Sequence, residues 1–348
     1  MLTPMVRAML RLDHAEVLDW RHETFGHSLH EVYGTARSIF RFSGTARAGD
    51  RDEPWALVLK IITTPGTPED PSAPANGARE ALAYQSGFLD GIAGVRAPRC
   101  VGVVAQPSGH FWLWLEEIVE GTGREWPMER YLLAARHLGQ FNAAHPAGRT
   151  APYPWLSRSP LREALKEFAP GLERLSEARR EHTFVAQAVS DHAAAALGAL
   201  PRKTVHWLDR MDNLPQVVCH WDAHRANLIS HATVDGALET VAIDWAGVGW
   251  GAVGSELSKF LSQTVNFFGL DATTLPALDA KMFEHYVVGL REAGWEGDPR
   301  AVRFGHAAAS AVRVIVRTAS ALELVANTRS REAFERTAGV PFGTLVEK

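Results

Sequence analysis

The sequence predicts an α+β protein in which a strand-rich N-terminal part precedes a mainly helical C-terminal part. Most strand-like apolar runs lie before residue 116, whereas apolar residues at helical spacing dominate after residue 127. A chain of 348 residues is long for one hydrophobic core and fits two lobes around a cleft. Hydrophobic residues make up 46% of the chain and charged residues 22%, which is typical of a globular protein.

The N-terminal strands are predicted from short apolar runs that are separated by turn residues. After a short helical lead-in at Asp13–Leu18, the predicted strands are Trp20–Phe25, Ser38–Ser43, Trp55–Ile62, Val95–Val104 and His110–Leu115. The loop Gly26–Gly34 connects the first two strands. A glycine-flanked loop could fold its backbone N–H groups over nucleotide phosphates, but its own residues favour a hairpin connection because no G-x-G-x-x-G is present.

The strand Trp55–Ile62 contains one lysine, Lys60, among apolar residues. A buried ammonium group is costly unless a carboxylate pairs with it, so a partner should exist; the alternative is that Lys60 extends to solvent from a strand edge. A helix predicted to begin near Ala78 carries Glu80 in its first turn. Glu80 is therefore the candidate partner of Lys60.

Periodic apolar positions predict the helices of the C-terminal part. The predicted helices are Met128–Ala144, Arg162–Leu175, Glu177–Leu200, Phe260–Phe268, Leu275–Ala293 and Val302–Val325. Arg313 and Arg317 interrupt the last of these, which argues against a membrane span. Arg7 and Arg11 interrupt the N-terminal stretch in which a signal peptide needs an unbroken apolar segment.

Charge and cysteine content narrow the expected partners and compartment. The net charge of −4 argues against a general nucleic-acid-binding protein. Two cysteines cannot build a disulfide framework, so we expect a reducing, cytoplasmic environment. We therefore expect neither a nucleic acid nor a membrane as a partner, and the sequence does not predict an oligomeric state.

The most informative stretch is Cys219–Asn227, C-H-W-D-A-H-R-A-N, which follows a strand-like apolar run. A second apolar run ends at Asp244, and the Asp235-Gly236 pair between the two runs predicts a hairpin. Because a hairpin brings its ends together, Asp222, Asn227 and Asp244 should converge. Carboxylate and carboxamide oxygens suit Mg²⁺, and a carboxylate without metal could accept a proton from an attacking hydroxyl.

H-x-D-x-H-x-x-N followed 17 residues after its Asn by the Asp of I-D-W resembles the aminoglycoside phosphotransferase and choline kinase family, which has a protein-kinase-like fold. The resemblance implies two lobes, with a small antiparallel sheet in the N-terminal nucleotide-binding lobe, residues 1–115. A hinge at 116–122 then leads to a mainly helical catalytic and acceptor-binding lobe, residues 123–348. Backbone groups near Glu116 and Ile118 in the hinge would bind the adenine ring.

The resemblance also implies a role for each polar residue of the two motifs. Asp222 would be the catalytic base, and Asn227 and Asp244 would hold Mg²⁺. Lys60, held by Glu80, would orient the α- and β-phosphates of ATP or GTP. All of these residues are present, so an active enzyme is favoured over a non-catalytic nucleotide-binding relative.

Three positions depart from the family pattern. Trp221 stands where the family usually has Gly, which alters the packing beside the base without removing a catalytic group. Glu256 stands where Asp is common, and we expect it to be structural. Arg225 replaces a common Pro; it could contact phosphate, but surface exposure is the favoured expectation.

The resemblance implies transfer of a γ-phosphoryl group to a hydroxyl of a small molecule, without deciding which one. Aminoglycosides or other antibiotics are one acceptor class, and choline, homoserine or sugars are the metabolic alternative. Carboxylates that could line an aminoglycoside site are Glu125, Glu129, Asp209, Asp212 and Glu256. Tryptophans that could form an acceptor wall, or equally a core, are Trp126, Trp207, Trp221 and Trp250.

A function from another class rests on the two histidines of H-W-D-A-H. His220, Asp222 and His224 could bind the metal of a hydrolase. That interpretation leaves Lys60 and Glu80 unexplained, and the other histidines show no similar grouping. His220 is expected to brace the catalytic loop instead.

Overall fold

The structure is a computed structural model that describes residues 2–24, 38–64, 69–121, 126–150, 153–233, 235–267 and 272–326. The loop Gly26–Gly34 and the acceptor candidate Glu125 lie outside these residues. The α+β class is confirmed, because an antiparallel sheet dominates the first third and helices dominate the rest.

The N-terminal part is a five-stranded antiparallel sheet with the strand order β1-β2-β3-β5-β4. Its strands are β1 Glu16–Thr24, β2 Ser38–Ala48, β3 Arg51–Ile62, β4 Cys100–Ala105 and β5 Phe111–Glu116, preceded by the helix α1, Leu2–Leu10. The predicted lead-in helix Asp13–Leu18 is wrong. Residues from Glu16 onward pair with β2, whose backbone ladder continues beyond its apolar run to Ala48. Backbone pairing therefore makes β1 and β2 longer than their apolar runs predicted, because polar residues also take part in it.

A short helix, α2 (Arg79–Gln85), joins β3 to β4. The buried Arg79 side chain donates hydrogen bonds to the carbonyl oxygens of Trp155 and Ala246, at 2.8 and 2.9 Å. These bonds fix α2 against segments that lie 76 and 167 residues further along the chain. The carboxylate of Glu80 is thereby held beside both the sheet and the C-terminal part.

The C-terminal part contains helices and two small antiparallel pairs of strands, β6 with β9 and β7 with β8. The strands are β6 Gln216–Cys219, β7 Leu228–Ala232, β8 Leu238–Ala242 and β9 Gly249–Ala252. The helices are α3 Met128–Ala144, α4 Pro160–Phe168, α5 Leu175–Glu181, α6 Thr183–Ala188, α7 Asp191–Met211, α8 Glu256–Phe267, α9 Leu275–Glu292 and α10 Pro299–Ala326. Helix α3 has the predicted bounds, and β7 and β8 form the predicted hairpin. Within the described part of the chain, no helix is long and apolar enough to cross a bilayer.

The two helices predicted between Arg162 and Leu200 are wrong in number and extent. A 3₁₀ segment, Ala169–Arg174, follows α4 because Pro170 lacks the N–H that an α-helix would use there. Conversely, α7 continues through Pro201 to Met211, beyond the predicted helix end at Leu200. Leu208 and Met211 are buried in the core, and this packing stabilises the final turns despite the proline.

One core fills the helical part, and its closest contact joins α3 to α9. A Cβ atom at Gly139 would lie 2.2 Å from the carbonyl oxygen of Tyr286, so only glycine permits this approach. The buried Tyr286 hydroxyl donates to Asn142, whose side-chain amide donates in turn to the carbonyl of Val218 in β6. The strand before the C-H-W-D motif is therefore anchored in the centre of the helical core.

Candidate active site

The predicted partner of Lys60 is confirmed. The Lys60 ammonium in β3 lies 2.6 Å from Glu80 Oε2 and 3.2 Å from Asp244 Oδ1. The side chains of Lys60 and Glu80 are only 7% and 1% exposed, so this is a buried ion pair rather than a lysine reaching for solvent. One ammonium between two carboxylates leaves the cluster with a negative charge, which suits a bound cation.

Asp244 follows β8 in a left-handed backbone conformation with φ of 62°. Aspartate tolerates this conformation better than most residues. The next residue, Trp245, is fully buried; its indole N–H donates to Ala242 at 2.8 Å and its backbone N–H to Glu80 at 3.4 Å. The buried tryptophan thus fixes the point at which Asp244 turns toward Lys60.

Asp222 lies on the loop between β6 and β7, and both of its carboxylate oxygens have partners. Oδ2 accepts a hydrogen bond of 2.8 Å from the Asn227 side chain, and Oδ1 lies 2.9 Å from the ammonium of Lys259 in α8. His224 Nε2 is 3.7 Å from Oδ2. Desolvation would raise the pKa of Asp222, but the Lys259 charge and hydrogen bonding to His224 and Lys259 hold it well below its ordinary value.

Asn227 and Asp244 are brought together as the sequence predicted. The backbone N–H of Ile243 donates to the carbonyl oxygen of Asn227 at 2.9 Å, which places the two predicted metal ligands at the same end of the β7–β8 hairpin. The side-chain nitrogen of Asn227 donates to Asp222, so its amide oxygen is the end that can bind a cation. An amide oxygen and a carboxylate form a donor set that fits Mg²⁺.

His220 is completely buried, and its ring contacts the backbone of the segments that carry Asp222 and Asp244. Its Nε2 lies 2.9 Å from the carbonyl oxygen of Ile243, and its Nδ1 accepts the backbone N–H of Asp222 at 3.2 Å. Burial lowers the pKa of His220 to about 4, although the charges of Asp222 and Asp244 oppose the shift. Both ring nitrogens are engaged by the backbone, so the geometry does not favour His220 as the zinc ligand of a hydrolase. Across the described ranges, no cluster of three His, Cys, Asp or Glu side chains is arranged to hold a metal ion.

Glu256, the first residue of α8, is structural as expected. It is completely buried and accepts the backbone N–H groups of His220 and Trp221 at 2.5 and 3.1 Å. Burial raises the pKa of Glu256 to about 7, although these hydrogen bonds act in the opposite direction. The side chain holds the loop before Asp222 and does not face an acceptor.

Arg225 was expected to be exposed, and that expectation is wrong. The side chain is 9% exposed and lies 3.0 Å from Glu120 Oε2. Its guanidinium group is 4.4 Å from the ring centre of Trp126, and that of Arg130 in α3 is 4.6 Å from the same centre. This cluster joins the catalytic loop to α3 and to the segment after β5. No spacing in the sequence connects these residues, so sequence reasoning missed it.

Glu116 ends β5, and Ile118 lies half-buried in the irregular segment that follows. The backbone N–H of Glu116 donates to the Arg99 carbonyl at 2.9 Å, and its carboxylate pairs with Arg96. The Glu116 N–H is therefore already engaged within the sheet region. Adenine binding by this segment stays a prediction.

Among the acidic acceptor candidates that the structure describes, Asp212 lines a cavity together with Trp221, the residue before Asp222. Asp209 and Asp212 both pair with Arg162, at 2.8 and 2.6 Å, and Glu129 is exposed at the start of α3. Glu256 is committed to the loop backbone. The Asp222 carboxylate instead contacts a cation, Lys259, which no motif in the sequence had indicated.

Two of the four candidate tryptophans share a cavity, and the other two lie outside it. Trp126 is buried beneath Arg225, and Trp207 is half-buried on α7. Trp221 and Trp250 line one cavity of about 240 Å³, where the Trp221 indole N–H donates to the Trp250 carbonyl at 3.2 Å. Trp221 has φ of 66°, a left-handed conformation that explains why glycine suits this position.

Comparisons with known proteins identify the family and the fold. Residues 45–297, most of the chain, match the model of the phosphotransferase enzyme family, APH. A search of curated proteins gave no match.

Solved structures of similar fold include three kinases. The amicoumacin kinase hAmiN in complex with AMP-PNP, Ca²⁺ and Ami is 13% identical, with 94% of this chain and 87% of that chain covered and a TM-score of 0.55. Choline kinase from Cryptosporidium parvum Iowa II is 10% identical, with 94% of each chain covered and a TM-score of 0.51. Plasmodium vivax ethanolamine kinase is 11% identical, with 88% and 76% covered and a TM-score of 0.51. The chain thus has the two-lobed, protein-kinase-like α+β fold and belongs to the phosphotransferase enzyme family.

Proposed function

We propose that the protein transfers the γ-phosphoryl group of ATP or GTP to a hydroxyl group of a small molecule. The supporting observation is one continuous set of contacts. Lys60 forms an ion pair with Asp244, and the backbone N–H of the preceding residue, Ile243, donates to the Asn227 carbonyl oxygen. The Asn227 side-chain amide donates in turn to the Asp222 carboxylate. A phosphate-binding cation, a metal-binding pair and a base are therefore joined at one site, as phosphoryl transfer requires.

Each residue then has a defined part in the reaction. Lys60, held by Glu80, binds the α- and β-phosphates, and Asn227 and Asp244 would hold Mg²⁺, which when bound neutralises phosphate charge. Asp222 orients the acceptor hydroxyl and accepts its proton. The acceptor oxygen bonds to the γ-phosphorus as the bond to the β,γ-bridging oxygen breaks, and the nucleoside diphosphate leaves. The low pKa of Asp222 keeps it ionised for this step.

The lobe assignment belongs to the same proposal. Residues 1–115 would bind the nucleotide, 116–122 would act as the hinge, and 123–348 would hold the catalytic loop and acceptor. Backbone groups of Glu116 and Ile118 would bind adenine. Three glutamates of this segment are tied to other elements, which supports a fixed hinge: Glu116 to Arg96, Glu117 to Arg41 and Glu120 to Arg225.

The charges near Asp222 bear on the acceptor class. Lys259 lies against the base, whereas Asp209 and Asp212 are occupied by Arg162. We therefore propose a hydroxylated acceptor that carries no positive charge next to the reacting oxygen. Sugars and neutral antibiotics fit this arrangement better than aminoglycosides, whose several ammonium groups require convergent carboxylates.

The test is Mg²⁺-dependent consumption of ATP and GTP against a panel of sugars, homoserine, choline, aminoglycosides and other hydroxylated antibiotics. We expect turnover that one acceptor class stimulates and that Asp222→Asn abolishes while nucleotide still binds. Asp244→Ala should remove the Mg²⁺ dependence of nucleotide affinity. Unchanged turnover in Asp222→Asn would show that another residue is the base.

A further inference from the structure

We propose that Lys259 is an additional active-site cation, which fixes Asp222 before substrates bind and contacts the transferring phosphoryl group during the reaction. This inference rests on the proposed phosphotransferase function. Lys259 lies 37 residues after Asp222, on the helix α8, and belongs to no motif that the sequence analysis identified.

The first support is the way in which α8 is attached to the catalytic loop. Glu256 and Lys259 are three residues apart, so they share one face of α8. Glu256 accepts the backbone N–H groups before Asp222, while Lys259 reaches the Asp222 carboxylate. Between them, Ser258 accepts a hydrogen bond from Arg313, which also donates to the Trp221 carbonyl at 3.3 Å. Glu256 and Ser258 therefore fix the helix turn that carries Lys259 relative to the proposed base.

The second support is the position of the Lys259 ammonium on Asp222. Asn227 donates to one carboxylate oxygen of Asp222, Oδ2, and the Lys259 ammonium lies 2.9 Å from the other, Oδ1. An acceptor hydroxyl that bonds Asp222 becomes the oxygen attached to phosphorus. A cation on the same carboxylate is thus next to the forming P–O bond and within reach of a phosphoryl oxygen.

The third support is the capacity of this ammonium for further contacts. A lysine ammonium has three donors, and one donor suffices for Asp222. The Lys259 side chain is 20% exposed, so its remaining donors are not sealed in the core. Negative charge spreads over the phosphoryl oxygens as the group is transferred, and a cation already in place stabilises that charge without reorganisation.

Lys259→Met and Lys259→Arg test the proposal, with Lys166→Met as the matched control because Lys166 is 72% exposed on α4. We expect Lys259→Met to lower kcat by about 10²–10³-fold, the range seen when one electrostatic contact to the reacting group is removed. The Kd of the Mg²⁺–nucleotide complex should change by less than about twofold, since uniform binding is unaffected. Lys259→Arg should restore part of kcat, and Lys166→Met should behave as wild type.

A binding measurement separates a phosphoryl contact from mere positioning of Asp222. The probe is ADP, or GDP, with Mg²⁺ and aluminium fluoride, which mimics the transferring phosphoryl group. In the Asp222→Asn background, Lys259→Met should weaken binding of the fluoride complex at least about tenfold and leave binding of the diphosphate alone unchanged. Equal binding in the presence and absence of Lys259 would overturn the phosphoryl contact.

The remaining outcomes are distinguishable. Wild-type turnover in Lys259→Met would overturn the whole proposal even if Asp222→Asn were inactive, and the phosphotransferase function would stand. If the wild-type protein bound no nucleotide with Mg²⁺, the phosphotransferase function itself would fail and the role of Lys259 with it.

Discussion

Two lysine–carboxylate pairs flank the site, and they differ mainly in burial. Lys60 and Glu80 are 7% and 1% exposed, whereas Lys259 and Asp222 are 20% and 34% exposed. The N–O distances are similar, at 2.6 and 2.9 Å. The two pairs therefore differ in environment: the Lys60–Glu80 pair is enclosed by the fold, whereas the Lys259–Asp222 pair is partly open to solvent.

Burial determines how each pair contributes to stability. Breaking a buried pair leaves one charge in a medium of low dielectric, which is strongly unfavourable. A partly exposed pair is screened by water, so losing it destabilises the fold less than losing a buried pair. Loss of either lysine should therefore impair activity, but loss of Lys60 should lower the stability of the fold much more than loss of Lys259.

The largest expected effect comes from Lys60→Met. Loss of this ammonium should lower the free energy of unfolding by about 3–5 kcal/mol, because Glu80 stays buried without it. Lys259→Met should lower it by less than Lys60→Met does, because the Lys259–Asp222 pair is partly exposed. Urea unfolding followed by circular dichroism measures both values.

The double variant Lys60→Met/Glu80→Met controls for packing. Apolar side chains of similar volume remove the uncompensated charge, so most of the lost stability should return, while nucleotide affinity should not. A Lys60→Met protein as stable as wild type would show that the buried pair is not a structural element and would remove the contrast between the two lysines.

The second prediction concerns the buried groups beneath Asp222, and its sign follows from proton binding. The unfolded chain protonates His220 near pH 6.5, but the folded protein does so only near pH 4, so this residue lowers stability as the pH falls between those values. Glu256 acts oppositely: its folded pKa is about 7 against 4.5 in the unfolded chain, so its contribution falls as the pH rises. The two contributions oppose each other between pH 4.5 and 6.5.

Glu256→Gln should expose the His220 contribution. Relative to wild type, the free energy of unfolding of this variant should rise more steeply with pH from 4.5 to 6.5, by up to about 1.4 kcal/mol per pH unit. Urea midpoints measured at several pH values test this, and only the slopes are compared because the substitution also changes hydrogen bonds. Parallel slopes in the two proteins would mean that Glu256 is ionised in the folded state throughout this range.

The contrast between the two pairs also shows what a sequence can reveal. The Lys60–Glu80 pair was predictable because a single lysine in an apolar strand requires a carboxylate, and a helix supplied one nearby. The approach of Asn227 to Asp244 followed from hairpin geometry. Lys259 and Arg225 were not predictable, because their partners are fixed by how α8 and α3 pack, and no local spacing encodes that packing.

The prediction that a helix ends at Leu200 was wrong for a related reason. Pro201 is a local signal for a helix end, but burial of side chains further along α7 outweighs it. Local patterns were therefore reliable where short-range chemistry decides the conformation. They were unreliable where burial against distant elements decides it.

The smallest predicted effect concerns backbone strain at Trp221. Trp221, before Asp222, and Asp244, after β8, both have a left-handed backbone conformation. Asp244, with φ of 62°, is a residue type that tolerates this conformation, whereas Trp221, with φ of 66°, is not. Trp221→Ala and Trp221→Gly both lose the indole contacts, but only glycine also relieves the strain. The glycine variant should therefore be more stable than the alanine variant by about 1 kcal/mol, measured from urea midpoints.

The control for strain is the same pair of substitutions at Lys166, an exposed position within α4. There alanine should be the more stable by about 1 kcal/mol, because glycine is disfavoured in a helix. A reversed order at Trp221 alone would show that the loop between β6 and β7 carries backbone strain next to Asp222, the proposed base. The same order at both sites would show that the left-handed backbone at Trp221 does not store enough strain to offset the conformational freedom of glycine in the unfolded chain.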